Sequence, residues 1–381
     1  MFSVLARSNP QFDRIATKAT FFSAGFITAA WAAIIPFIKA QVGINDAVMG
    51  LMLLCLGGGA LVGMPIAGYF TNKYGCKAVL LAAVSAFALL YPVLIVADTL
   101  PLLTLTLIFF GMSIGITDCA MNIQAVAVEK DAEQPLMSGF HGFYSLGGMF
   151  GALTLTLLMS MNVPTLAACI VATVFVLLLL LTTESGLRSD KAGEQSQMFA
   201  LPRGTVFFIG IVCFVFFLAE GTVLDWSGIF LTEYRDVSTA SAGLAVACFS
   251  VAMTFGRLLG DKAVVLFGAR FMVVGGALLA MFGFILSLSI EHWLVALVGY
   301  TCIGLGCSNV VPIMFSATGK QQVMPESVAV TAVSTLGYVG VLAGPALVGF
   351  GAQAFGLPTA LFFVVVLILL ATLLSYKIKT N

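Results

Sequence analysis

Three carboxylates stand inside stretches otherwise almost free of charge: Asp118, Glu220 and Asp225. An ionised carboxylate at membrane depth costs a few kcal/mol or more, so each must face a cavity, find a partner or take up a proton. Reversible protonation at such a site would couple proton movement to a conformational change. The competing reading is a structural hydrogen bond between helices. Position ranks the three. Glu220 precedes Leu231, the outer end of its predicted helix, by eleven residues, or roughly 16 Å of α-helical rise, which puts it near the midplane. Asp225 lies roughly 9 Å from the same end, within reach of water. Asp118 falls slightly to the cytoplasmic side of centre, with Asn122 one turn away on the same face. His141 enters the next predicted helix from the cytoplasmic side and could meet this pair, and imidazole suits proton handling near neutrality. Asp118 is the first choice of proton carrier and Glu220 the second.

Other chemistries are poorly supported. The sequence has no G-x-x-x-x-G-K-[ST] phosphate loop, so the chain itself offers no ATP-driven motor. With two histidines and neither a metal cluster nor a nucleophile–base constellation, it does not read as an enzyme, and no cofactor is implied. The eight cysteines lie within or beside hydrophobic segments without paired spacing in the loops, which suits small packing residues better than disulfides or zinc. Zero net charge and the absence of a basic arm argue against nucleic acid as a partner.

The elements that must hold these residues are legible from composition. Sixty per cent of the 381 residues are hydrophobic and nine per cent charged, whereas soluble domains carry about 25% charged residues. Lipid must therefore be the solvent. Backbone polar groups have no water partner in hydrocarbon, so spans are helices or closed barrels, and continuous apolar runs of about twenty residues select helices. Twelve spans are expected, at 20–38, 48–70, 78–96, 101–127, 137–160, 164–183, 205–231, 240–260, 270–289, 293–318, 327–350 and 356–376. Arg7, Arg14 and Lys18 precede the first span, which reads as a retained targeting helix because no A-x-A-like cleavage site follows.

With a cytoplasmic N-terminus, 15 of the 17 basic residues fall on the cytoplasmic side, and only Lys39 and Arg235 lie outside. This matches the positive-inside rule and places both termini in the cytoplasm of a multi-pass inner (cytoplasmic) membrane protein. The polar stretch Glu184 to Arg203 suits a solvated cytoplasmic linker. It separates an N-terminal half (1–183) from a C-terminal half (204–381). The halves repeat weakly: Gly50-Leu51, Gly63, Gly75 and Lys77 meet Gly243-Leu244, Gly256, Gly268 and Arg270 at one offset of 193, and Trp31 meets Trp226 with a small gap. Such a repeat implies parallel six-helix halves with the substrate between them.

These residues resemble the major facilitator superfamily. Its loop between spans 2 and 3, roughly G-x-x-x-D-x-x-G-[RK]-[RK], stands here as Gly68 to Lys77, with Asn72 for the acid and Cys76 for one base; Gly75 and Lys77 remain. The second-half counterpart, Gly256-Arg257-Leu258-Leu259-Gly260-Asp261, is better preserved, and its Arg257 and Asp261 are spaced for a local ion pair. Within the superfamily the chain is similar to the fucose/proton symporter branch. Asp118 to Asn122 resembles that branch's acid-x-x-x-Asn element, Trp226-Ser227 its Trp-Ser pair, and Ser308 with Pro312, Phe315 and Ser316 its span 10. The branch's span 1 acid has no counterpart near Ala32.

The resemblance implies an all-α membrane protein: twelve transmembrane helices in two pseudo-symmetric six-helix bundles, the major facilitator fold. It implies a central cavity lined by spans 1, 4, 7 and 10, where Trp31, Asn122, Trp226 and Asn309 would contact substrate. An aromatic ring stacks on a sugar face while amides bind hydroxyls, although helix packing and interhelical hydrogen bonds suit the same residues. Gly75, Lys77, Arg257 and Asp261, with Gly344 and Pro345 in span 11, are the gating candidates. The expected function is proton-coupled transport of a small polar solute by a monomer in lipid. A drug or metabolite exporter by proton exchange and a non-transporting membrane sensor are the alternatives. Span 5 lacks the Gly-Pro motif that the superfamily's drug/proton antiporters carry, which weighs against drug export.

Overall fold

The computed structural model describes residues 10–44, 46–190, 201–238 and 241–379. Arg7 and the middle of the expected linker, 191–200, lie outside the described residues. The described chain is helical: α1 (Pro10–Val42), α2 (Asp46–Tyr74), α3 (Cys76–Val96), α4 (Leu100–Ala132), α5 (Met137–Ser160), α6 (Thr165–Thr183), α7 (Thr205–Tyr234), α8 (Leu244–Phe267), α9 (Ala269–Ser289), α10 (Trp293–Cys307), α11 (Val310–Lys320), α12 (Glu326–Phe355) and α13 (Leu357–Ser375). With α10 and α11 taken as one interrupted span, Trp293–Lys320, these supply twelve helices long and apolar enough to cross a membrane.

Several helices outrun their apolar stretches. The described part of α1 already includes Pro10, ahead of the expected start near residue 20. The Thr17 and Thr20 hydroxyls donate back to the Asp13 and Ala16 carbonyls within the helix. α4 likewise continues to Ala132, past the expected 127. α8 runs from Leu244 to Phe267 where 240–260 was expected. The largest departure is in span 10, which breaks at Ser308-Asn309.

The chain forms two compact units, Met1–Ala132 with Phe143–Ala200, and Glu133–Gly142 with Leu201–Asn381. In the first, α4 packs on α2 and α3, and α1 on α6. Glycines at matching levels permit the α2–α4 approach: a methyl on Gly59 or Gly63 would strike the Ile108 or Met112 carbonyl, and one on Gly111 or Gly115 the Leu56 or Ala60 carbonyl. Small residues at such interfaces allow the close backbone packing that membrane helices depend on. In the second unit α7 lies along α12, and α10 packs on α9 and α8.

The start of the expected linker is packed. After α6 a single 3-10 turn, Glu184–Gly186, leads to Leu187, which is 4% exposed. Arg188 lies 3.7 Å from Asp13 and ion-pairs with Asp131, while the Gln124 side chain accepts its backbone N–H at 3.0 Å. Burial opposes the Arg188 charge, but Asp131, Asp190 and Asp13 outweigh it, so the guanidinium pKa lies above its ordinary value. Polar composition suits a solvated segment, and Ser185, Ser189 and Asp190 are exposed; the Arg188 contacts and the buried Leu187 hold 184–190 against α1 and α4.

The weak repeat has a structural meaning at Lys77 and Arg270. Lys77 holds the chain after α6, through its backbone N–H to the Arg188 carbonyl at 2.7 Å and its ammonium 3.8 Å from Glu184. Arg270 holds the chain after α13, donating to the Ser375 and Ile378 carbonyls at 2.8 and 2.7 Å. The glycine two residues before each base has φ of 84° or 81°, the left-handed region that favours glycine. Arg235, one of the two exceptions to the charge asymmetry, has a structural task. Its guanidinium donates to the Ser287 and Leu288 carbonyls at the end of α9, at 2.6 and 2.9 Å.

Candidate functional site

A polar cluster in the membrane-spanning part of the second unit surrounds the break between α10 and α11. Pro312 lies four residues after Ser308. It has no N–H to give the Ser308 carbonyl, and its ring crowds that oxygen, so the helix opens there. At membrane depth the freed carbonyl needs another donor. Arg257 of α8 supplies it, with Nε 3.3 Å from the Ser308 oxygen. The same guanidinium places Nη2 3.3 Å from both carboxylate oxygens of Glu220 on α7. This is a largely buried pair, 8% and 13% exposed.

Asn309 completes the tie, donating to the Gly256 carbonyl at 3.0 Å and the Ser308 hydroxyl at 2.8 Å. Among the described residues its buried amide oxygen has no hydrogen-bond partner. Gly256 and Gly260 make room for the break, since a methyl on either would run into Ser308 or Asn309. Asn309 thus engages in the interhelical bonding that also suits an asparagine at that position. Arg257, expected to be spaced for a local pair with Asp261, reaches across to Glu220.

Asp261, one turn further along α8, accepts the Gly139 backbone N–H at 2.9 Å. Gly139 lies in the first turn of α5, where amides have no intrahelical acceptor, so the carboxylate caps that helix from a different element. His141, two residues on, stacks its ring on Phe315 of α11 at 5.8 Å. On α7, the Trp226 indole donates to the Pro345 carbonyl of α12 at 3.3 Å, and Gly349 leaves space for its ring. A substrate candidate and the proline of a gating candidate therefore touch. Gly344 lies against Leu218 of α7. Asp225 is exposed on α7, and among the described residues no hydrogen bond or ion pair engages its carboxylate.

In the first unit Asp118 and Asn122 share a face of α4, as their spacing requires. The Asn122 amide donates to the Asp118 backbone carbonyl at 2.9 Å, and its buried side-chain oxygen has no hydrogen-bond partner among the described residues. Among the described residues no hydrogen bond or ion pair engages the Asp118 carboxylate. Trp31 is 6% exposed and packs on Phe110, ring centroids 5.7 Å apart, which is an interhelical packing role. Gly75 passes so close to Ser189 that a side chain there would strike its backbone. Gly75 and Lys77 therefore secure the segment after α6. Among the described residues no group of three or more His, Cys, Asp or Glu side chains could hold a metal.

Sequence reasoning missed Ser308 as the carbonyl that Arg257 serves, and Arg188 as the centre of the segment after α6. The first was within reach, because Pro312 at i+4 marks Ser308 as the orphaned acceptor.

Comparison with known proteins places the chain. Residues 18–322 match the family model described as Major Facilitator Superfamily. The sequence is 44% identical over 370 residues to an uncharacterized MFS-type transporter of Yersinia pestis, covering 97% of this chain and 96% of that one. It is 29% identical over 351 residues to the membrane protein MosC of Rhizobium meliloti, covering 91% and 85%. Among solved structures, the MFS transporter FucP in the outward conformation superposes with a TM-score of 0.79 at 14% identity, covering 96% and 98%. The proton:xylose symporter XylE gives 0.69 at 14%, covering 97% and 94%.

The chain belongs to the major facilitator superfamily and has its twelve-helix fold. It is a multi-pass membrane transporter.

Proposed function

We propose that this protein is a proton-coupled symporter moving a small polar solute, a sugar or related metabolite, across the inner membrane by alternating access, with both termini in the cytoplasm. The observation that carries the reading is the Asp118 carboxylate. It sits mid-span on α4 without a hydrogen-bonding or ionic partner among the described residues, beside the buried, unpaired Asn122 oxygen. A carboxylate so placed is stable at membrane depth only if it meets water or takes up a proton, and a group that alternates between those conditions carries protons. Asn122 next to it offers an acceptor to a solute hydroxyl. Glu220 is the second proton site, held by Arg257, and Asp225 and His141 are accessory titratable groups on the route. Trp226 and Asn309 contribute to solute recognition from positions already braced by Pro345 and Gly256, and Trp31 shapes the wall by packing. Asp261, Arg257, Gly75, Lys77, Gly344 and Pro345 govern the conformational change. The names of FucP and XylE support a sugar-type solute by analogy of fold alone.

The test is a proton-flux screen in proteoliposomes against sugars, related metabolites and cationic drugs. Solute-dependent alkalinisation of the side from which the solute enters supports symport. Proton movement of the opposite sign makes the protein an exchanger.

A further inference from the structure

The break in span 10 and the Glu220–Arg257 pair share one guanidinium, and this gives the site a property that neither has alone. We infer that Arg257 is the positioning residue that transmits the charge of Glu220 to the α10–α11 break, so that protonation of Glu220 loosens the backbone at Ser308-Asn309. The inference rests on the reading of Glu220 as a proton site.

The argument begins with Pro312. Because it has no N–H, the Ser308 carbonyl depends on a donor from outside its own helix, and Arg257 Nε provides one at 3.3 Å. The guanidinium is planar, so the orientation that aims Nε at Ser308 also fixes Nη2, which sits 3.3 Å from both Glu220 oxygens. While Glu220 is ionised, its charge holds the fork in that plane. A neutral carboxyl holds the guanidinium less strongly than a carboxylate does, so the hold of Glu220 on the orientation that serves Ser308 weakens. The carbonyl is then held less firmly by its donor, and the bond from the two-residue break to Arg257 of α8 loosens with it. Broken helices lining a transport pathway are elements that move or bind in secondary transporters. Here the break includes Asn309, a candidate for solute contact.

The other groups around Glu220 can be named element by element. Cys213 on its own helix and Cys307 at the end of α10 are near enough to interact with its charge, and Arg257 comes from α8. His141, just past the first turn of α5, is near enough to feel the Arg257 charge, and Asp261 follows Arg257 by one turn. Of the further helices packed on α7, α13 carries no titratable side chain, α11 only Lys320 in its last turn, and α12 Glu326 in its first turn and Tyr338 further along. Among these groups Glu220 is the carboxylate that the Arg257 fork grips.

The test needs no knowledge of the solute. Amide hydrogen exchange of the 305–316 segment is followed by mass spectrometry across pH 5 to 9 in purified full-length protein, corrected for intrinsic exchange. In the natural protein, protection falls as pH is lowered, within the roughly 5–150-fold range of coupled equilibria. Glu220→Gln shows the low protection at every pH. Arg257→Gln does the same, while Arg257→Lys, a donor without the fork, recovers it only in part. Pro312→Ala restores an N–H to the Ser308 carbonyl, so the segment stays protected and indifferent to pH even when combined with Glu220→Gln.

A break whose exchange ignores pH in the natural protein overturns the inference. So does a Glu220→Gln variant that keeps the natural pH dependence, or a Pro312→Ala variant that stays pH-sensitive. Proton flux in proteoliposomes separates the two readings. A pH-responsive break without solute-driven proton flux removes symport and leaves Arg257 in its role. Flux with an unresponsive break does the reverse.

Discussion

Arg257 grips Glu220 with one nitrogen, Nη2, 3.3 Å from each carboxylate oxygen, while its Nε serves a backbone carbonyl on a third helix. The guanidinium is therefore a junction of α7, α8 and the α10–α11 break. Removing one member of such a buried pair strands the other charge, at a cost of about 3–5 kcal/mol. Arg257→Gln is expected to lower the thermal unfolding midpoint in detergent sharply. Adding Glu220→Gln removes the stranded charge and should recover most of the loss. A double variant as unstable as Arg257→Gln alone would mean that the Ser308 contact, not the ion pair, carries the energy.

Asp261 caps the first turn of α5 through the Gly139 N–H. Removing a carboxylate cap costs about 1 kcal/mol. Asp261→Ala should speed amide exchange over residues 138–142, while Asp261→Asn, which keeps an acceptor at the same position, should fall between the two. Equal effects of Ala and Asn would assign the interaction to charge at the helix terminus instead of the hydrogen bond.

Arg188 fastens the segment after α6 to α1 and α4. Two of its acidic partners, Asp131 and Asp190, are well exposed, at 62% and 84%, so salt screens much of their contribution. The backbone bond to Gln124 and the buried Asp13 are screened less. Arg188→Ala is expected to expose 184–190 to limited proteolysis, with a several-fold rise in cleavage. High salt applied to the natural protein should reproduce only part of that rise. Full reproduction by salt would show that the exposed carboxylates do all the holding.

Much of the fold was legible because span length and hydrophobicity are properties of a single stretch of chain. The twelve spans follow from that. The equivalence of Lys77 and Arg270 was visible as an offset before the structure gave it a function. Partners distant in sequence were not legible. Asp261 looked matched to Arg257 at i+4, yet it serves an amide 122 residues earlier, and Glu220 meets Arg257 across 37 residues. Helix packing sets such contacts, and a hydropathy pattern does not encode the rotation of one helix against the next. The 184–190 segment misled for a related reason: Gly186 and Leu187 are buried and Arg188 pairs with α1 and α4, while Ser185, Ser189 and Asp190 stay exposed, and composition alone does not reveal that anchoring. Helix ends ran past their apolar runs because a helix can extend beyond hydrocarbon at no desolvation cost.

Trp226 and Pro345 link a substrate candidate to a hinge candidate. Trp226→Phe keeps an aromatic ring but removes the indole N–H, a loss of about 1 kcal/mol for one hydrogen bond, together with part of the ring's packing. If the indole serves only the α7–α12 junction, solute affinity should be unchanged and the maximum transport rate altered. A raised half-saturation concentration with an unchanged rate would instead put the ring against the solute.

Asp118 provides the most direct test of proton coupling. Asn occupies the same volume as the neutral acid and cannot release a proton, so Asp118→Asn mimics one end of the cycle. Conformational exchange that needs the neutral form should continue, and net movement driven by a proton gradient should stop. The expected result in proteoliposomes is counterflow of labelled solute at a rate close to that of the natural protein, with uphill accumulation abolished. The pH dependence of counterflow should also flatten, because the titrating group is gone. Stability should hold or rise, since an unpartnered carboxylate at membrane depth costs a few kcal/mol that its amide does not. Retained uphill accumulation would remove Asp118 from the coupling step and shift the role to Glu220. Loss of both counterflow and accumulation from well-folded protein would instead make Asp118 a group that binds the solute.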